Sequence, residues 1–130
     1  MDVVKGILIL AERQVEDRNI EGEYNFSPDY DDCIMTSDFV MMFCNEWGEN
    51  LSSRYQYDSN YKDDRLKLRV DNSKSKNTLL WVPNWSPKEA VRRLVEWEKA
   101  VKNGANANLI TDKQIVDYFS RTKTLKKACL

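Results

Sequence analysis

The chain has 130 residues, 42% hydrophobic and 32% charged, an ordinary globular composition that excludes a disordered or collagen-like polymer. Lys plus Arg total 20 against 21 Asp plus Glu, so no basic excess draws the protein to a nucleic-acid backbone. Histidine is absent, which excludes Ser-His and Cys-His nucleophiles and every His-ligated metal site.

Asp2 to about Gln14 reads as the first helix. Its apolar residues Val3, Val4, Ile7, Leu8, Ile9, Leu10 and Ala11 cover nearly the whole circumference, whereas a surface helix shows one stripe. Gly22 to Phe26 reads as a short strand ended by Ser27-Pro28, and Asp29 to Thr36 as a solvated acidic loop. Ser37 to Trp47 reads as the second helix, with Phe39, Val40, Phe43, Cys44 and Trp47 on one face, Thr36 or Ser37 at its cap and Gly48 at its end. Arg54 to Tyr57 looks like a second strand. Leu66, Leu68 and Val70 then alternate with Arg65, Lys67 and Arg69, which is either a cationic strip facing phosphate or a charged edge strand.

Asn72 to Leu80 is expected to be a short helix capped by Asp71 or Asn72. Trp81-Val82-Pro83-Asn84-Trp85 follows as an extended connector, because proline blocks helix there. Its tryptophans read as packing anchors more than stacking platforms. Ser86-Pro87-Lys88-Glu89 is a strong helix start, with Ser86 as N-cap, Pro87 at the first turn and Glu89 completing a capping box. That helix runs to about Asn103, buries Ala90, Val91, Leu94, Val95, Trp97 and Val101, and is closed by Gly104. A last helix spans Thr111 to about Phe119. The expected fold class is α/β, mixed and helix-rich: a small sheet of two or three short strands with about five helices. Residues 1–122 form a single domain and 123–130 a frayed tail.

Cys33, Cys44 and Cys129 form neither a disulfide framework nor a CxxC metal pair. The early apolar run is too short to span a bilayer and lacks the flanks of a signal peptide. These features lead to the expectation of a cytoplasmic protein with no membrane and no nucleic-acid partner. No glycine-rich phosphate loop occurs among Gly6, Gly22, Gly48 and Gly104, and no tyrosine is followed by lysine four residues later. The pairs Asp31-Asp32 and Asp63-Asp64 lie in polar loops, where carboxylates stay ionised and are poor general acids or bases.

Gly6-Ile7-Leu8-Ile9-Leu10-Ala11-Glu12, Gly22-Glu23-Tyr24-Asn25-Phe26-Ser27-Pro28 and Trp47-Gly48 resemble stretches in the C-terminal part of the extended short-chain dehydrogenase/reductase (NAD-dependent epimerase/dehydratase) family, and within it the CDP-glucose 4,6-dehydratases. The most specific is Leu68-Arg69-Val70-Asp71-Asn72-Ser73-Lys74-Ser75-Lys76, leading into Leu79-Leu80-Trp81-Val82-Pro83-Asn84-Trp85. Glu89-Ala90, Val95-Glu96-Trp97 and Thr111 to Ile115 continue the likeness, so that it covers roughly residues 2 to 119 in the family's order.

The resemblance implies the substrate-side subdomain of an extended dehydrogenase/reductase without its Rossmann half. The family's NAD-binding turn and its Tyr-x-x-x-Lys lie upstream of the matched region, so it implies no catalytic residue, no metal and no cofactor held by this chain, with NAD belonging to the complete family enzyme. It implies a CDP-sugar as ligand and a separate Rossmann-containing chain as partner. The alternative is a non-catalytic binding or self-association module, and the all-round apolar first helix predicts a homodimer or larger assembly that buries Ile7, Leu8 or Leu10 in part. Alignment on Ser73-Lys74 places Asp63 and Asp64 on the family's His-Glu pair, whose acidic member meets the nucleotide ribose in related enzymes. Asp64 and Asp63 are therefore the implied substrate-binding residues. Asp64 is one methylene shorter than Glu, and Asp63 replaces His. The family glycine after Leu79 is Leu80 here, and the one after Asn25-Phe26 is Ser27.

Overall fold

The structure is a computed structural model that describes residues 1–48 and 69–127, with side chains to Ser120. Five helices carry it: α1 (Asp2–Glu16), α2 (Thr36–Trp47), α3 (Ser73–Leu79), α4 (Pro87–Lys102) and α5 (Ala107–Lys127). Two short 3₁₀ turns, Arg18–Ile20 and Tyr30–Asp32, lie between α1 and α2. No helix among the described residues is long and apolar enough to cross a membrane.

No strand occurs among the described residues, so the expected α/β class with a small sheet is corrected to an all-helical fold. The expected strand Gly22–Phe26 is irregular, coil-like backbone with no strand pairing. Its neighbour in space is the stretch leading into α3, yet the two are joined by side chains instead of a backbone ladder. Asn25 Nδ2 donates to the Asp71 carbonyl (3.0 Å) and Ser27 Oγ to the Val70 carbonyl (2.7 Å). Asn72 Nδ2 returns to the Ser27 carbonyl (3.0 Å), and Ser75 Oγ to that of Asn25. Short polar side chains compete with a sheet for the same backbone groups, and here they win. The expected strand Arg54–Tyr57 lies outside the described residues, as does most of the Leu66–Val70 alternation.

The described chain gathers into two compact units. The first comprises α1, the two 3₁₀ turns and α3 with its flanking connectors. Its core is small: Gly6, Leu79 and Trp81 are buried, with Ser75 wholly enclosed beside them. The Phe26 ring lies directly on the Gly6 backbone, so close that a Cβ there would sit 2.4 Å from two ring carbons. Glycine is required by this approach. Phe26 also meets Trp81 edge to face at 5.2 Å, a favoured aromatic geometry. The Trp81 indole N–H donates to the Asp2 carbonyl (3.0 Å), so the anchor's polar end is satisfied as well.

α3 ends at Leu80, whose φ of 53° is left-handed. This is the position where the resembled family has glycine. A side chain in that region costs about 1 kcal/mol.

The second unit is built from α2, α4 and α5, with α4 packed against both of the others. Val91, Val95 and Tyr118 form its buried apolar centre. Pro87 opens α4 as expected, and Gly48, at φ 75° and ψ −155°, ends α2 in backbone that favours glycine without being left-handed helix. The cap of α2 is Met35, with no side-chain hydrogen bond, in place of Thr36 or Ser37. α5 starts earlier than Thr111, where Asn106 Oδ1 accepts from the Asn108 amide (2.9 Å), the bond an N-cap asparagine makes.

The buried stripe of α4 also differs from expectation. Ala90 and Leu94 are exposed, while Arg93 is buried. Trp97 is half-buried and donates its indole N–H to Thr111 Oγ1 (3.0 Å).

Candidate functional site

Asp63 and Asp64, the implied substrate-binding pair, lie outside the described residues. The described chain resumes at Arg69, in the first unit. Arg69 places its guanidinium carbon 3.5 Å from the centre of the Tyr30 ring. Lys74 Nζ lies 4.3 Å from the centre of the Tyr24 ring. Each cation rests on an aromatic face, an arrangement that fixes a long side chain at little electrostatic cost.

Asn72 organises the loop opposite. Its side-chain nitrogen donates to the Ser27 carbonyl, to the Pro28 carbonyl (3.4 Å) and to Asp29 Oδ1 (3.1 Å). Lys76 pairs with the same Asp29 carboxylate at 2.5 Å. These two neighbours, Lys76 first and then Asn72, hold the Asp29 carboxyl below the usual carboxylate range. Asp71 Oδ1 accepts from the Ser73 amide (2.9 Å), and the Ser73 contacts lower its pKa too. Of the two caps read from the sequence, Asn72 is the N-cap of α3, without a side-chain bond of its own to the helix, and the Asp71 carboxylate meets the first helical amide from outside it.

The Trp-Val-Pro-Asn-Trp connector is clamped to α1. Asp2 Oδ1 accepts from the Asn84 amide, while Lys5 Nζ donates to the Val82 carbonyl (3.0 Å) and to Asn84 Oδ1 (2.8 Å). Trp81 is 1% exposed, so it is the packing anchor that the sequence reading favoured and offers no stacking face. The most family-like stretch of the chain is therefore largely scaffold: Asn72, Ser75, Leu79 and Trp81 are its buried members.

The second unit holds a charged network missed by hydrophobic periodicity. Arg93 Nε donates to Glu89 Oε1 (3.0 Å) and Arg93 Nη1 to Asp117 Oδ2 (3.2 Å). Gln114 Nε2 donates to the Arg93 carbonyl (2.8 Å). Glu89 also receives Arg92, at 2.7 and 3.0 Å, and Arg92 reaches Glu96. The Arg92 hydrogen bond, with Arg93 behind it, pushes the Glu89 pKa down to about 2. The available signal was the Glu89–Arg93 spacing of one helical turn.

These shifted carboxyls all move downward, toward permanent ionisation. A general acid at neutral pH needs the opposite shift. Among the described residues, no three acidic or cysteine side chains gather as a metal site.

No protein-family model matches the chain, and no solved structure matches it significantly. Among curated proteins, CDP-glucose 4,6-dehydratase of Salmonella typhimurium (strain LT2) is 27% identical over 123 residues. The match takes in 94% of this chain and 34% of that enzyme. The chain is therefore similar, along nearly its whole length, to about a third of a CDP-glucose 4,6-dehydratase.

Proposed function

We propose that the chain is a sugar-nucleotide dehydratase-related segment that supplies nucleotide-sugar contacts and is not catalytically competent alone. The observation that carries this reading is the 123-residue match to CDP-glucose 4,6-dehydratase. Two features support it. The sequence has no Tyr-x-x-x-Lys and no glycine-rich turn, and the described carboxyls with shifted pKa values are held ionised.

In such an assembly, NAD belongs to a Rossmann-type partner and Asp64 and Asp63 to the nucleotide ribose. Arg69 and Lys74, two cations braced on aromatic faces a few residues further on, supply favourable charge toward a diphosphate. A cytoplasmic site of action accords with Cys33 and Cys44 being unbridged.

Calorimetric titration of the purified chain with CDP, CDP-glucose and NAD in parallel tests the reading. The expected result is heat from CDP and CDP-glucose and none from NAD. Absence of heat from all three overturns the nucleotide-sugar role, and heat from NAD alone overturns the substrate-side assignment.

A further inference from the structure

Most large aromatic faces of the described chain are spent on the fold. Trp81 is enclosed, and the Trp47 ring has Phe43 stacked against it, with Lys99 and Lys102 nearby. Tyr24 is half-buried, and its hydroxyl donates to the Ile20 carbonyl (2.7 Å). Tyr30 differs: it is 66% exposed, and its ring carries the Arg69 guanidinium.

The guanidinium carbon lies 3.5 Å from the ring centre. At that distance the group lies flat, because an edge-on guanidinium would drive its nitrogens into the ring. A flat guanidinium keeps its N–H donors in its own plane. One face therefore rests on Tyr30, the rim holds the donors, and the opposite face is a flat cationic surface. Arg69 is exposed, and among the described residues its guanidinium makes no hydrogen bond or ion pair. Lys74 on Tyr24 offers no such plane, since an ammonium is a compact point charge.

The stack is also braced. Tyr30 opens a 3₁₀ turn in which the Asp32 amide donates to the Asp29 carbonyl (2.9 Å). Asp29, the residue before Tyr30, is held through its carboxylate by Lys76 and by buried Asn72. Asn72 fixes the Ser27 and Pro28 carbonyls as well. The ring is thus positioned by α3 and its cap.

We propose that the outward face of Arg69 stacks the pyrimidine base of a nucleotide, in a base–Arg69–Tyr30 sandwich. The proposal rests on the nucleotide-sugar reading above and adds to it the residues that meet the base. Nucleobases stack on guanidinium planes as well as on aromatic rings. The base takes the face of the guanidinium and the diphosphate its rim, so the two contacts do not compete for the same atoms.

Calorimetric titration with CDP separates stacking from charge. Tyr30→Ala removes the supporting ring, and Arg69→Lys keeps the charge but loses the plane. Each is expected to weaken CDP binding at least about fivefold. Tyr30→Phe keeps the ring face and is expected to bind like the wild type. Helical circular dichroism is expected to be unchanged in all three, because both side chains are exposed. In saturation-transfer NMR of CDP with the wild-type chain, the cytosine ring protons are expected to receive more saturation than the ribose protons. Wild-type CDP affinity in both Tyr30→Ala and Arg69→Lys overturns the sandwich and leaves the nucleotide-sugar reading standing, as does saturation confined to the ribose. A wild-type chain that does not bind CDP overturns both.

Discussion

The two compact units reach stability by different routes. The first is tied together through loops. Asn25, Ser27, Asn72 and Ser75 bond backbone groups across more than forty residues of sequence, around a core whose largest member is Trp81. The second is a set of packed helices, joined by a Val91–Val95–Tyr118 centre and the Glu89–Arg93–Asp117 network. In the first, the side chains that hold the fold are mostly small or polar, and each sits against a specific backbone atom. In the second, apolar contacts are more interchangeable, since packed cores tolerate swaps that conserve volume. Damage is therefore expected to be more site-specific in the first unit.

The sharpest way to break this contrast is Trp81→Ala. It empties the core beside Phe26 and Leu79 and leaves the Asp2 carbonyl without its indole donor. A loss of about 4 kcal/mol is expected, read as a shift in the urea midpoint. Next comes Gly6→Ala. The added methyl meets the Phe26 ring, and a cost of about 2 kcal/mol is expected from overpacking. The same glycine-to-alanine change in an open helix would instead stabilise, so the sign of the effect is itself the test.

The second unit is probed by pH. Glu89 is lowered from 4.5 to about 2. A depressed carboxyl contributes stability above its unfolded pKa, and that contribution fades as pH falls from about 4.5 through about 2. Glu89→Gln is expected to remove this part of the acid dependence while lowering stability at neutral pH by about 1–2 kcal/mol. An acid titration of helical signal unchanged by Glu89→Gln would separate the network from stability. The smallest expected effect is a gain. Leu80→Gly relieves a left-handed residue that is 72% exposed, and a rise of about 0.5–1 kcal/mol in thermal or urea unfolding is expected.

Much of the helical scaffold was legible locally. Ser86-Pro87 announced α4, and the apolar run after Met1 announced α1, because caps and periodicity are properties of neighbouring residues. The lack of strand pairing at Gly22–Phe26 was not. A short extended stretch ended by Ser27-Pro28 reports local backbone, and says nothing about whether a partner strand is present. Arg93 was missed for a related reason. Periodicity counts apolar residues, and a buried arginine is tolerated only once Glu89 and Asp117 stand beside it. At the candidate site, Trp81 was legible as an anchor and Asn72 as one of two possible caps, whereas Asp63 and Asp64 rest on the resemblance alone.

The sequence by itself determined the start of α4, the lack of histidine chemistry and the likeness to a dehydratase segment, since each resides in the order of residues along the chain. Only the tertiary structure decided that Gly22–Phe26 is joined through side chains instead of a sheet, that Gly6 must be glycine, and that the Val4–Leu8–Ala11–Val15 side of α1 faces outward. Each depends on which atoms from distant parts of the chain arrive at the same place: the Phe26 ring over Gly6, and the Ser75 hydroxyl at the Asn25 carbonyl.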